Sequence, residues 1–127
     1  MAMFEFKEIA RENEFNPLTI RDDTPFTQGP IYGKWQEMMG RKVRRFEIKN
    51  GTETISFFQI IKYSLPFSQS FLYIPHGPIL KEISYLDSEF LKIFRDKLIN
   101  LTKEENAVFV RFDFSCLAEA LAKAGPT

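Results

Sequence analysis

Asn50-Gly51 limits what this 127-residue chain can fold into more than any other feature. Before it, residues 43–48 alternate apolar and charged side chains, and after it residues 52–63 are rich in β-branched and aromatic types. Two such runs joined by Asn-Gly read as an antiparallel hairpin, with both turn residues at positive φ in a type I′ turn. Leu65-Pro66-Phe67-Ser68-Gln69-Ser70 breaks the return strand, and residues 71–74 make a third one. That strand runs into Tyr73-Ile74-Pro75-His76-Gly77-Pro78. Two prolines bracketing a glycine give up ladder hydrogen bonds and fix the course of the backbone. A corner this stiff suits a place where another group approaches the main chain.

The rest of the chain supplies helices on either side. Residues 4–13 are expected to form a short helix with Ile9 and Ala10 inward, and 14–27, with Pro17, Asp22, Asp23 and Pro25, an irregular connector. Pro30 suits the first turn of a helix over 30–39 that Gly40 closes; Ile31, Trp35 and Met38 or Met39 recur on one face, expected to be core. Asp87 or Ser88 caps a helix over 88–101, whose Phe90, Leu91, Phe94, Leu98 and Leu101 form an apolar stripe opposite Lys92, Arg95 and Asp96. Residues 107–114 are apolar enough for a central strand, and 117–124 read as a helix stopped by Gly125-Pro126. Helix, hairpin, strand, helix, strand, helix gives an α/β or α+β layer with a mixed sheet that starts from an antiparallel hairpin. A partial N-acetyltransferase-like fold fits that order, as do other small mixed folds. Residues 1–127 are expected to be one partial domain. Its central strand lacks a later partner, so the chain should self-associate or be a piece of something longer.

Composition narrows the function classes. Seventeen basic and seventeen acidic residues leave no overall field to attract nucleic acid or an anionic membrane. One cysteine, Cys116, permits no internal disulfide, and one histidine, His76, leaves no cluster at metal-ligand spacing. The first residues carry acids where a signal peptide would be apolar, and no apolar run approaches the roughly 20 residues of a membrane span. The expectation is a cytoplasmic protein without metal or cofactor.

Candidate chemistry is sparse. His76 stands at an exposed corner, either as a contact or as a surface histidine without a role. A helix starting near Pro30 points free N–H groups past Gln28 and Gly29, and Lys34 one turn along could add charge there or simply be solvated. The bend and this helix tip are expected to frame one pocket. Arg41, Lys42, Arg44 and Arg45 begin the hairpin, and a solvated, aggregation-resistant strand edge explains them adequately, with phosphate or RNA contact as the lesser alternative. Arg111 and Asp113, two apart on a strand, share a face and read equally as an ion pair or as cleft-lining residues. No residue is identified as a nucleophile or general base.

Taken in order, Phe26-Thr27-Gln28, Tyr32-Gly33-Lys34-Trp35-Gln36, Gly40-Arg41-Lys42-Val43, Gln59-Ile60-Ile61-Lys62 with Leu65-Pro66-Phe67, the Tyr73–Pro78 corner and Val110-Arg111-Phe112-Asp113 form a set. No single piece is specific, but their order and spacing across residues 24–114 resemble the first domain of the Fem family of peptidoglycan bridge-forming aminoacyltransferases. The resemblance implies two N-acetyltransferase-like domains in the complete enzyme. It implies transfer of an amino acid from aminoacyl-tRNA to a side-chain amine in the stem peptide of a peptidoglycan precursor, UDP-linked or lipid-linked. It gives Lys34 the contact to the precursor's diphosphate, although a shift of register would put uncharged Gln36 there. Asp113 would border the precursor groove, with Tyr73, His76 and Gly77 as further substrate-binding residues; the family often carries Arg where His76 stands.

By the same resemblance, the second domain is missing and the chain ends inside the first, so this piece should not catalyse alone. The implied chemistry, amine attack on an ester carbonyl, works by positioning and oxyanion stabilisation and needs no covalent enzyme intermediate. A non-catalytic binding module with an acetyltransferase-like fold is the alternative. An acyl-CoA acetyltransferase is weaker, because no pyrophosphate loop is evident after Phe114.

Overall fold

The computed structural model of the protein describes residues 4–82 and 87–113. The expected hairpin is its centre: Lys42–Asn50 (β2) pairs antiparallel with Glu53–Leu65 (β3). Its loop is Gly51-Thr52 rather than Asn50-Gly51, because Asn50 still pairs with Glu53. Only Gly51, at φ 66°, adopts the left-handed conformation, so the glycine opens the turn and the asparagine stays in the strand. Phe4–Ile9 (β1) covers the far side of β2, and Gln69–Ile74 (β4) the far side of β3. Ile79–Leu80 (β5) also pairs with β3, one stretch further along, and Val110–Phe112 (β6) joins β4 in parallel. The sheet order is β1-β2-β3-β4-β6, mixed as expected.

Two helices lie on opposite faces. Ser88–Glu104 (α2) starts at Asp87, whose carboxylate accepts from Phe90 N at 2.9 Å. It buries Phe90, Phe94, Leu98 and Leu101 against Phe46, Ile48, Phe58, Ile60, Leu72 and Ile74 of the strands. Leu91, expected in this stripe, is exposed. Phe58 is the hub: Phe6, Phe46 and Phe94 all hold rings within 6.4 Å of it. Pro30–Met38 (α1) lies on the other face, ended by Gly40 at φ 87°. There Gly40 N donates to Glu37 O and Arg41 N to Gln36 O, the paired bonds of a Schellman ending.

Several sequence expectations are corrected. Residues 4–9 are a strand, not a helix. Phe4 and Phe6 alternate with Glu5 and Lys7, and docking beside β2 satisfies a backbone that a short helix would leave dependent on its own turns. The apolar face of α1 points outward, with Ile31, Trp35, Met38 and Met39 exposed; Gly33 and Gln36 face the sheet instead. Gly33 sets this choice, since a Cβ there would meet the side chains of Gln59 and Arg45. β6 is short and, among the described residues, pairs only with β4, so within the described sheet it lies at an edge rather than in the centre. β2 is an inner strand rather than a solvated edge. Arg45 is buried and bonded to Glu37 at 2.8 Å, while Arg44, on the opposite face, pairs with Glu8, Glu104 and Glu105. Cys116 and the helix expected over 117–124 lie outside the described residues.

Candidate functional site

β4 leaves the sheet at Pro75, and β5 returns to β3 at Phe57. Between them the main chain of Gln59, paired with Arg45 of β2 on one side, has no strand on the other. The Gln28 side chain, fully buried, fills this break. Its Oε1 accepts from Gln59 N at 3.0 Å, and its Nε2 donates to Gln59 O at 3.3 Å and to Pro75 O at 2.8 Å. One carboxamide thus replaces a strand residue, an arrangement set by its matching donor and acceptor. Gln59 reciprocates, its Nε2 donating to Thr27 O at 3.0 Å and Gly29 O at 2.7 Å. The corner closes over the plug. Gly77 is needed there because an added Cβ would sit 2.8 Å from Gln28 Cδ and 2.9 Å from Ile74 Cγ2. His76 takes a left-handed φ of 55°, and its Nδ1 is hydrogen-bonded to Thr27 Oγ1 at 2.7 Å. The bend and the helix tip therefore meet, as the sequence suggested, but Gln28 occupies the space between them. They form one wall instead of framing a hollow.

Beside that wall, on the α1 face of the sheet, three tyrosines gather from three elements. Tyr63 of β3 and Tyr73 of β4 have ring centroids 6.3 Å apart, and the Tyr32 hydroxyl of α1 stands near that of Tyr63. Burial, and then the neighbouring Tyr32 hydroxyl, pushes the Tyr63 phenol up to about 12. Tyr73 donates its hydroxyl proton to Asp113 Oδ2 at 2.6 Å, which, with burial and the carboxylate charge, holds the phenol above its usual range. Arg111, on the parallel β6, lies over the Tyr73 ring at 5.3 Å and 3.9 Å from Asp113. Arg41 lies over Tyr63 at 4.8 Å. The Tyr63 ring also stacks on Phe71, and Phe71 on Phe109. The surface can bind chemically mixed ligands: hydroxyls and guanidinium groups for an oxyanion, a carboxylate for an amine.

Of the residues singled out from sequence, Tyr73 and Asp113 are bonded to each other, and His76 and Gly77 sit in the adjoining corner. Lys34 is exposed elsewhere. Two positions from Tyr32 is a rotation of about 200° on a helix, so Lys34 stands on the opposite flank of α1. Gln36 is buried and accepts from Arg41 Nη1 at 2.8 Å. Sequence reasoning missed Gln59, Tyr32 and Tyr63 as site residues, and weighed Arg41 only as one of the basic cluster at the start of the hairpin. A signal existed for Gln59, a lone carboxamide inside the apolar run from Phe57 to Ile61. Two surface clefts of about 400 and 370 Å³ are not lined by the tyrosines, the first bounded by Leu18, Arg21 and Lys81, the second by Phe26, Pro30 and Ile31. No group of three or more metal-ligating side chains exists among the described residues, and no described helix is long and apolar enough to cross a membrane.

Residues 11–125 match the family model described as the FemAB family. No curated protein matches the chain. Among solved structures, FemX superposes with a TM-score of 0.69 at 19% identity, over 86% of this chain and 27% of FemX. The chain thus spans about a quarter of that protein. A predicted acetyltransferase from Clostridium acetobutylicum, solved with acetyl-CoA, gives 0.63 at 15% identity over 98% of this chain and 90% of its own. The ribosomal-protein-alanine N-acetyltransferase of Brucella melitensis biovar Abortus 2308 gives 0.59 at 9%, over 100% and 93%. At such identities the likeness establishes the fold, which is N-acetyltransferase-like.

Proposed function

The chain belongs to the FemAB family, and from that membership we propose that it is part of a transferase that builds peptidoglycan cross-bridges. In this reading the complete enzyme carries an amino acid from aminoacyl-tRNA to an amine of the precursor's stem peptide. A C–N amide bond forms, the ester C–O bond to the tRNA breaks, the tRNA hydroxyl leaves, and the amine gives up a proton. The described residues contribute precursor recognition, and a second domain, expected from the family, supplies the remainder of the site. The chain is expected to be inactive alone and to self-associate.

The observation that carries the reading is the hydrogen bond from Tyr73 to Asp113 beside the Thr27–His76 contact. It supports a single precursor-binding surface made from stretches 27–28, 73–77 and 113, which the family resemblance singles out separately. Lys34, exposed on α1, remains the proposed diphosphate contact. Calorimetry with a UDP-linked muropeptide tests the proposal. The full chain should bind, and Asp113→Ala and Lys34→Ala should each weaken binding about tenfold, the scale of one charge-assisted hydrogen bond. Absence of binding by the unaltered chain would overturn the reading, and an unchanged affinity in Lys34→Ala would remove that lysine's role. The outward Trp35, Met38 and Met39 favour a second reading, a non-catalytic module that docks a protein through α1. That reading predicts no muropeptide binding at all.

A further inference from the structure

Arg41, between α1 and β2, differs from the arginines on the strands and helices. Arg44, Arg45, Arg95 and Arg111 each have a carboxylate within 4 Å, whereas Arg41 makes no ion pair among the described residues. It is nevertheless half-buried and fixed. The Schellman ending of α1 ties its N–H to Gln36 O, and the Gln36 side chain, itself buried, accepts from its Nη1. The guanidinium then covers the free face of Tyr63, whose other face stacks on Phe71. Gln36 is a neutral acceptor, so it orients this charge without cancelling it. A partly desolvated, pre-oriented guanidinium with spare N–H donors is a ready partner for an oxyanion, since its fork needs no rearrangement to bind. The Tyr63 hydroxyl, on the ring that Arg41 covers, adds an O–H donor to the same surface.

We propose that Arg41, held over Tyr63 by Gln36, binds an oxyanion of the ligand, a phosphate or a carboxylate group, at the end of the tyrosine row away from the Thr27–His76 corner. Arg111 over Tyr73 and the Asp113 carboxylate then face the neighbouring part of the same ligand. The proposal deepens the precursor-binding reading and rests on it for the identity of the whole ligand, but not for the oxyanion contact itself.

The test is titration of the full chain with inorganic pyrophosphate and, separately, with acetate, followed by NMR shifts of the Tyr63 and Arg41 resonances. One of the two anions should bind and move those resonances. Which one does so identifies a phosphate or a carboxylate as the group recognised. Arg41→Gln should weaken that binding about tenfold, and Arg41→Lys should restore only part of it because the fork is lost. Thermal denaturation of both variants confirms that the fold persists. If neither anion binds, or if Arg41→Gln binds as the unaltered chain does, the proposal is overturned. A parallel muropeptide titration separates the two readings. If the muropeptide binds equally to the unaltered chain and to Arg41→Gln, only the Arg41 role falls. If the muropeptide never binds but pyrophosphate binding still depends on Arg41, only the precursor reading falls.

Discussion

Replacing Gln28 should do more damage than the loss of a single buried side chain suggests. Its carboxamide satisfies three main-chain groups: Gln59 N–H, Gln59 C=O and Pro75 C=O. Gln28→Met keeps the volume and strands all three. At about 1–3 kcal/mol for each buried group left without a partner, and with some relaxation, the loss is about 3–6 kcal/mol. Set against the roughly 5–15 kcal/mol that holds a domain together, this variant lies near the limit of folding. Gln28→Glu is the more discriminating change. As a carboxylate it could still accept from Gln59 N–H, but it would face two carbonyl oxygens in a fully buried site. Protonated, it would donate to Pro75 O much as the amide does. Its pKa in the folded state is therefore raised above the ordinary value of about 4.3. A raised pKa means that stability is retained below the unfolded-state value and lost as pH rises toward the folded-state value. Urea unfolding of this variant and of the unaltered protein at a series of pH values gives the stability difference directly. The penalty should be small near pH 4 and grow by several kcal/mol toward neutrality, at about 1.4 kcal/mol for each pH unit separating the folded-state and unfolded-state values. A penalty that does not vary with pH, or a Gln28→Met cost below about 1 kcal/mol, would show that the carboxamide is not filling the break in the ladder.

Two further substitutions test the packing around the site. Gly33→Ala gains up to about 1 kcal/mol of helix propensity. The new Cβ would meet Gln59 Oε1 and come within 2.9 Å of Arg45 Nη2. Gln59 cannot turn away without losing its bonds to Thr27 and Gly29, so a net destabilisation of about 1–3 kcal/mol is expected, and a stabilised variant in thermal denaturation would refute the close approach. Glu105 is pushed up by burial, but Lys42, Arg44 and Lys62 outweigh this and hold its carboxyl below the ordinary 4.5. Its stabilising contribution is thus complete above that value and fades as pH falls through the lower, folded-state one. Glu105→Gln should flatten the acid limb of the stability profile and lower stability at neutral pH by about 1–3 kcal/mol; an unchanged acid limb in urea titrations would contradict the ion cluster.

Local signals are the legible part of this sequence. Asn-Gly, Pro30 with Gly40, Asp87 and the Phe90–Leu101 stripe point to the hairpin and both described helices, because turn and cap chemistry acts over a few residues. The first strand is less legible, because the alternation within its six residues is short and its docking depends on β2, some forty residues away. The face of α1 escapes for a related reason. Periodicity finds an apolar stripe but cannot say whether the sheet takes that stripe or the glycine beside it. At the site, Tyr73 and Asp113 emerge from the family pattern as binding residues, while Tyr32 and Arg41 stand in that pattern without an assigned role and Tyr63 lies outside it. Their association depends on which residues of β3, β4 and α1 come level with one another. Gln59 shows the same limit, since its partner lies 31 positions earlier.

The break beside Gln59 also bears on how the molecule avoids unwanted company. Main-chain groups left bare at that point would invite an extended segment of another protein to slot in as an extra strand. By corking the opening with its own amide, residue 28 denies that foothold, so partners are directed to the side-chain surfaces around it.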